Sequence, residues 1–262
     1  MEIRNTGVLV TGASRGLGLE LSRAVAREGA RVVMVARNAR DLDDAVRVVM
    51  DDAATAAQGG RAYGLAFDVA SKEAVHRIGG AAGALVGDID IVVHAASTLG
   101  PVPMPLLLDT DCEDFERVLA VNLVGPFRLT KVLAGPMVLR RRGLVVFVSS
   151  DAAVSAYPGW GSYGISKAAQ DHLARSLAAE LDPVRFLAVD PGEMDTKMHA
   201  DAMPDADRST LARPADVAAR LLRLIRNAES VKNGSRHELA HDAQDAQDAL
   251  DALDALARGG AS

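Results

Sequence analysis

The chain has 262 residues, 49% of them apolar but only 3% aromatic, and a formal net charge of −6 at pH 7. That size supports a single α/β domain with a core of Ala, Val and Leu, and the acidic balance supplies no basic footprint for nucleic acid or anionic lipid. The lone cysteine, Cys112, rules out an intrachain disulfide scaffold and reads as a buried or idle thiol.

No uncharged apolar run approaches the roughly 18 residues of a membrane span, and Met1-Glu2-Ile3-Arg4 lacks a signal-peptide core, so a soluble, cytoplasmic protein is expected. Apolar runs of strand length fall at 8–11, 31–36, 62–67, 89–93, 144–148 and 184–189. Segments of helical period alternate with them at 16–28, 39–57, 71–86, 111–140, 161–181 and 214–228. Strands apolar on both faces and alternating with helices predict an α/β fold, a Rossmann-type doubly wound parallel sheet with helices on both faces. Arg140-Arg141-Arg142, followed by Gly143, reads as a solvated helix C-terminus. No linker rich in Gly, Pro or Ser divides residues 1–240, which are read as one domain. Residues 241–262 form a low-complexity tail of Asp-Ala-Gln and Asp-Ala-Leu repeats, expected to be frayed, with a partner-binding helix as the alternative.

The first strand runs into Thr11-Gly12-Ala13-Ser14-Arg15-Gly16-Leu17-Gly18 and then a helix. Glycines there let backbone amides approach a pyrophosphate, and the helix N-terminus adds partial positive charge. Users of NAD commonly carry an acidic residue at the end of the second strand, whereas this strand ends Ala36-Arg37. Arg37 and Arg15 suit a 2′-phosphate, so NADP(H) is the expected cofactor. Asp68, before Val69, is placed to accept from an adenine amino group or to cap the next helix, a job for which Ser71 competes.

Ser149-Ser150 closes the fifth strand, and Tyr163-Gly-Ile-Ser-Lys167 follows at the head of a helix. The i, i+4 spacing puts Tyr163 and Lys167 one turn apart on one face, where an ammonium is expected to bring the phenol towards working range. Ser150 can hold a carbonyl oxygen at the same point.

These residues make the chain resemble the short-chain dehydrogenase/reductase family, from residue 5 to about 238. The resemblance implies a sheet of about seven strands, the last short one at 234–239, and a catalytic set of Ser150, Tyr163, Lys167 and Asn122, the asparagine holding a relay water. It implies cofactor contacts from Thr11, Gly12, Ser14, Arg15, Gly16, Leu17, Gly18, Arg37, Asp68, Val69, Ala95, Ala96, Tyr163, Lys167, Pro191, Gly192 and Thr196. Two stretches depart from the family. His94-Ala95-Ala96-Ser97 stands where Asn-Asn-Ala-Gly is usual, and His94 reads as a hydrogen-bonded core histidine. The ending Asn233-Gly-Ser-Arg-His-Glu-Leu239 is similar to the sepiapterin-reductase and benzil-reductase branch, in which Glu238 would anchor a pterin.

His237-Glu238-Leu239-Ala240-His241 also matches a zinc-protease pattern, but no later His or Glu supplies a third ligand, and the strand expected here lacks the helical geometry, so no metal site is expected. The resulting expectation is an NADPH-dependent carbonyl reductase acting on a small, largely apolar or aromatic substrate. Leu99, Val102, Met104, Tyr157, Trp160, Met194 and Met198 would line its pocket. The family implies a homodimer or homotetramer. An alternative from another class is a non-catalytic NADPH-binding sensor or scaffold.

Overall fold

Val8, Leu9 and Val10 are buried, and so are residues 32–35, 91–93, 144–147 and 186–189. Strands with no solvent face can only be central strands of a sheet covered on both sides. The computed structural model, which describes residues 1–239, shows that sheet. The repeat tail at 241–262 and the readings attached to it lie outside the described residues.

In chain order the elements are β1 (Gly7–Thr11), α1 (Gly16–Ala26), β2 (Arg31–Ala36), α2 (Ala39–Met50), α3 (Ala53–Gln58), β3 (Arg61–Ala66), α4 (Ala74–Val86) and β4 (Ile91–His94). There follow α5 (Cys112–Leu119), α6 (Gly125–Arg140), β5 (Leu144–Val148), α7 (Gly161–Glu180), β6 (Arg185–Asp190), α8 (Lys197–Ala202), α9 (Pro214–Arg226) and β7 (Arg236–Glu238). The seven strands are ordered β3-β2-β1-β4-β5-β6-β7 and all pair in parallel. The order reverses between β1 and β4, and this switch point opens a crevice at the carboxyl edge of the sheet.

Successive strand residues face opposite sides, so each strand feeds two cores. Val8, Val10, Val32 and Met34 pack with Leu21, Val25, Val217 and Leu221 of α1 and α9. Leu9, Val33, Val92, Val145 and Phe147 pack with Ile78, Leu129, Leu133 and Met137 of α4 and α6.

Four local readings are corrected. The helix expected over 39–57 breaks in two because Asp52, buried, caps α3 through the amides of Ala54 and Thr55, at 3.0 and 3.3 Å, while its other oxygen takes Arg23 and Arg27. The helix expected from 111 contains a π-helical turn, Ala120–Val124, which carries Asn122. Cys112 is a free, exposed cysteine, so of the buried and idle alternatives the buried one fails. Arg140 is not merely solvated, since it pairs with Asp88 at 2.9 Å, while Arg141 takes the left-handed cap position with φ 53°.

The continuous segment Cys112–Arg140 is also long and apolar enough, by length and composition, to cross a membrane, which the sequence reading did not anticipate. Half of its apolar window is buried within the fold, and the segment carries Arg128 and Lys131, as suits a helix packed on a sheet.

Candidate active site

The crevice is a cleft of about 1820 Å³ running along the carboxyl ends of the strands. Its first wall is backbone. Gly12 sits at φ +69°, and a Cβ there would lie 2.7 Å from the Ala96 nitrogen and 2.8 Å from the Ala95 carbonyl. A Cβ on Gly18 would lie 2.4 Å from the Gly12 oxygen. The glycines are therefore demanded by the close approach of the β1 turn to β4 and α1. Ala95 and Ala96 keep that approach open, and the Ala96 amide donates to Thr11 Oγ1 at 3.2 Å, tying the two strand ends together.

Helix α1 begins beside the cleft with no capping side chain and no acid in its first turn. An uncapped N-terminus of this length next to a glycine cradle fits a pyrophosphate, and Ser14, Gly16 and Leu17 line the same wall. Arg15 and Arg37 are exposed on the cleft and form no ion pair among the described residues. Asp68 lines the cleft while its Oδ1 accepts from the Ala70 amide at 2.9 Å, a local turn bond. Ser71 accepts from the Ala74 amide at 3.2 Å and so starts α4. Val69 is buried, with its carbonyl against Gly125.

The second wall is side chain. Tyr163 and Lys167 share the cleft-facing side of α7, the Nζ lying 5.5 Å from the ring centroid. Lys167 is 2% exposed and donates to the Val148 carbonyl at 2.7 Å and to Gln170 Oε1 at 3.4 Å. Burial of its ammonium lowers its pKa to about 8. Tyr163 is pushed up to about 12, chiefly by burial, with Asp190 and Asp151 adding to the rise and hydrogen bonds from Ser150 and Ser97 opposing it. The expected lowering by Lys167 does not emerge, because the phenol is dry and faces two carboxylates. Tyr163 is a protonated donor throughout the ordinary pH range.

Ser150 lies two residues past β5. Its Oγ accepts from the Ala152 amide at 3.2 Å and donates to Asp151 Oδ1 at 2.8 Å, while the Tyr157 hydroxyl donates to Asp151 Oδ2 at 2.9 Å. Asn122 is fully committed. Its amide donates to the Thr98 carbonyl and Ser166 Oγ, each at 2.9 Å, and its Oδ1 accepts from the Thr98 amide at 2.8 Å and Ser97 Oγ at 3.2 Å. Its backbone oxygen already accepts from Gln170 Nε2 at 2.9 Å. The side chain thus tethers the loop after β4, and Gln170 bridges the lysine to the π-helical turn. Ser97, standing where the family pattern has glycine, is part of this tether.

Sequence reasoning missed the charge cluster behind Ser150. Arg236 of β7 meets Asp171 at 3.1 Å, Asp190 at 2.7 Å and the Ser150 carbonyl at 3.1 Å, and also pairs with Glu238. Asp190 in turn accepts from the Gly192 amide at 2.9 Å. One guanidinium therefore joins the ends of β5 and β6 to α7 and to the Pro191-Gly192 turn. Burial raises the pKa of both Asp171 and Asp190. A signal existed in the position of Asp171, one helical turn beyond Lys167 on the same face.

Leu99, Trp160, Met198 and Met104 cluster around Tyr163, with the Trp160 ring 5.8 Å from Tyr163 and 6.4 Å from Tyr157. Leu99, Val102, Tyr157, Trp160, Met194 and Met198 line the cleft. Thr196 lines it too and caps α8 through the His199 amide at 3.2 Å. Glu238 also reaches the cleft, paired with Arg236. His94 is a core histidine: its Nε2 contacts Thr130 Oγ1 at 2.8 Å, its ring stacks on Phe147 at 5.1 Å, and burial lowers its pKa to about 3. Residues 236–238 are extended, so His237 and Glu238 point to opposite faces of the sheet, and His237 Nε2 contacts Ser235 Oγ at 2.7 Å. Ala240 and His241 lie outside the described residues.

A parallel sheet of this order, with a glycine turn at its switch point, defines the Rossmann class of dinucleotide-binding α/β proteins. Within that class the chain belongs to the short-chain dehydrogenase family, whose sequence model matches residues 6–207. A short chain dehydrogenase of Pseudocercospora fijiensis is 33% identical over 205 residues, 76% of this chain and 63% of its own. A Mycobacterium tuberculosis protein described as a probable oxidoreductase is 40% identical over 200 residues, 75% of this chain and 32% of its own. The chain thus spans less than two thirds of the length of these relatives. Among solved structures, a Shigella flexneri short chain dehydrogenase complexed with NADP superposes with a TM-score of 0.82 at 26% identity, covering 91% of this chain and 98% of its own. An NAD⁺-bound xylitol dehydrogenase shares the fold, with a TM-score of 0.78 at 24% identity over 91% of this chain and 98% of its own.

Proposed function

We propose that the protein is an NADPH-dependent carbonyl reductase acting on a small-molecule ketone or aldehyde. The observation that carries this is the convergence of Ser150 and the protonated, buried Tyr163 on one point of the cleft, with Lys167 fixed one turn behind. Ser150 orients the carbonyl oxygen, Tyr163 donates the proton to it, and Lys167 binds a ribose and supplies positive charge beneath the phenol. Asn122 holds the loop after β4 that lines the site. Positioning and a dry, directed proton donor are the sources of rate. Reduced nicotinamide held by Gly12, Gly16, Gly18, Pro191, Gly192 and Thr196 would supply the hydride.

Arg15 and Arg37, exposed and free of ion pairs among the described residues, support a 2′-phosphate and hence NADPH. A homodimer or homotetramer built on α5, α6 and α7 and a cytoplasmic setting complete the proposal. Phe127 and Ile165, exposed at 43% and 42% on α6 and α7, support the assembly. The complete Ser-Asn-Tyr-Lys set speaks against a non-catalytic sensor, which has no use for a proton donor. In a panel of ketones, diketones and pterins, cofactor oxidation is expected with at least about a tenfold preference in kcat/KM for NADPH over NADH, the size of one charge-assisted contact. Tight NADPH binding with no turnover of any carbonyl would support the sensor instead.

A further inference from the structure

Two carboxylates face the Tyr163 hydroxyl region, and the protein treats them differently. Asp190 is buried and paired, with the Arg236 guanidinium, which it shares with Asp171 and Glu238, at 2.7 Å and the Gly192 amide at 2.9 Å. Asp151 is exposed on the cleft and forms no ion pair among the described residues; its two oxygens accept from the hydroxyls of Ser150 and Tyr157. Hydride transfer to a carbonyl builds negative charge on the oxygen held between Ser150 and Tyr163. An uncompensated carboxylate next to Ser150 opposes that charge. While it accepts the Ser150 proton, it also withholds one of the two donors that the oxygen needs. Both penalties disappear when the substrate itself brings a donor to Asp151 and frees the serine hydroxyl.

We propose that Asp151 determines specificity, selecting carbonyl compounds that carry a hydrogen-bond donor, hydroxyl or ammonium, on the carbon next to the carbonyl. This rests on the carbonyl-reductase reading above. Donor and carbonyl oxygen on adjacent carbons are spaced like hydrogen-bonded neighbours, matching the 2.8 Å between Ser150 Oγ and Asp151 Oδ1. The carbonyl oxygen therefore meets Ser150 as the neighbouring donor meets Asp151. A vicinal diketone instead turns oxygen lone pairs towards the carboxylate and is disfavoured. Leu99, Trp160 and Met198 form the apolar part of the pocket and take the rest of the substrate. In the reaction the C=O group gains a hydride at carbon from the reduced nicotinamide and a proton at oxygen from Tyr163. Its π bond becomes C–H and O–H, the neighbouring donor is unchanged, and the product is a vicinal diol or amino alcohol.

The test uses acetophenone, 2-hydroxyacetophenone, 2-aminoacetophenone and 1-phenyl-1,2-propanedione with the full-length protein and its Asp151→Asn and Asp151→Ala variants. The kcat/KM ratio of the hydroxy to the plain ketone is expected to exceed about tenfold and to fall towards one in both variants, while the diketone gains relative to the hydroxy ketone. A steeper fall for the amino ketone in Asp151→Asn than for the hydroxy ketone identifies ammonium as the natural donor; the opposite order identifies hydroxyl. A hydroxy-to-plain ratio that is the same in all three proteins overturns the role of Asp151 while leaving the reductase intact. If no carbonyl is reduced, the reductase reading fails, and thermal shifts then decide this inference. 1-Phenylethane-1,2-diol stabilises the parent protein more than 1-phenylethanol does, and loses that advantage in both variants, if Asp151 recognises the donor. Equal shifts reject it.

Discussion

On the β1–β2 side of the crevice the binding surface is backbone: a glycine turn pressed against Ala95 and Ala96, an uncapped helix N-terminus and two arginines standing in solvent. On the β5–β7 side it is buried charge: Lys167, Asp171, Asp190 and Arg236 share one dry cluster around Tyr163. The heart of the first surface, the turn Thr11–Gly18, is built from consecutive residues, because close backbone approach requires only small residues in a turn. The second needs groups from three separate elements, α7, β6 and β7, because a charge taken out of water must find its counter-charge wherever the fold supplies one. Substitutions on the two sides should therefore fail in different ways.

The largest effect is expected on the charged side. Tyr163→Phe removes the only proton donor proposed for the reacting oxygen, so turnover should fall by about 10²–10⁴-fold with cofactor affinity nearly unchanged, read by steady-state kinetics alongside NADPH titration. Residual activity within tenfold of the parent would place the donor elsewhere. Next is Arg236→Met, which strands Asp171 and Asp190 without their cation. Urea unfolding should show a loss of about 3–5 kcal/mol, partly recovered in Arg236→Lys. A loss below 1 kcal/mol would mean that the cluster does not bear on stability.

His94 stands at the boundary between the two sides, neutral and buried, and sets a pH dependence. The unfolded chain binds a proton at this residue below pH 6.5, whereas the folded protein resists until about pH 3. Stability contributed by His94 is thus complete above pH 6.5 and is lost on acidification by about 1.4 kcal/mol per pH unit. Between pH 6.5 and 5, where few carboxylates titrate, His94→Gln should flatten the slope of unfolding free energy against pH; an unchanged slope would show that the ring is not buried neutral. The smallest effect belongs to the backbone side. Arg37→Ala should raise the KM for NADPH by about tenfold, leave that for NADH unchanged, and alter stability by no more than about 0.5 kcal/mol, since it removes an exposed charge that no fold contact uses.

The parallel sheet, its helices and the glycine turn were legible in the sequence, because strand burial and helical period are carried by consecutive residues. Tyr163 and Lys167 were legible for the same reason, four residues apart on one helix. What the sequence could not show is how these groups are wired. The pairing of Asp52 with Arg23 and Arg27, the π-helical turn that commits Asn122 to Thr98 and Ser166, and the Gln170 bond to the Asn122 carbonyl all depend on partners distant in the chain. Arg236 lies 86 residues beyond the Ser150 carbonyl it binds. The sequence by itself determined the class of fold and the identity of the reactive groups, since both rest on local spacing. Tertiary structure alone decided which carboxylate is buried against a cation and which stands open to the substrate, because burial and counter-charge are properties of the assembled protein.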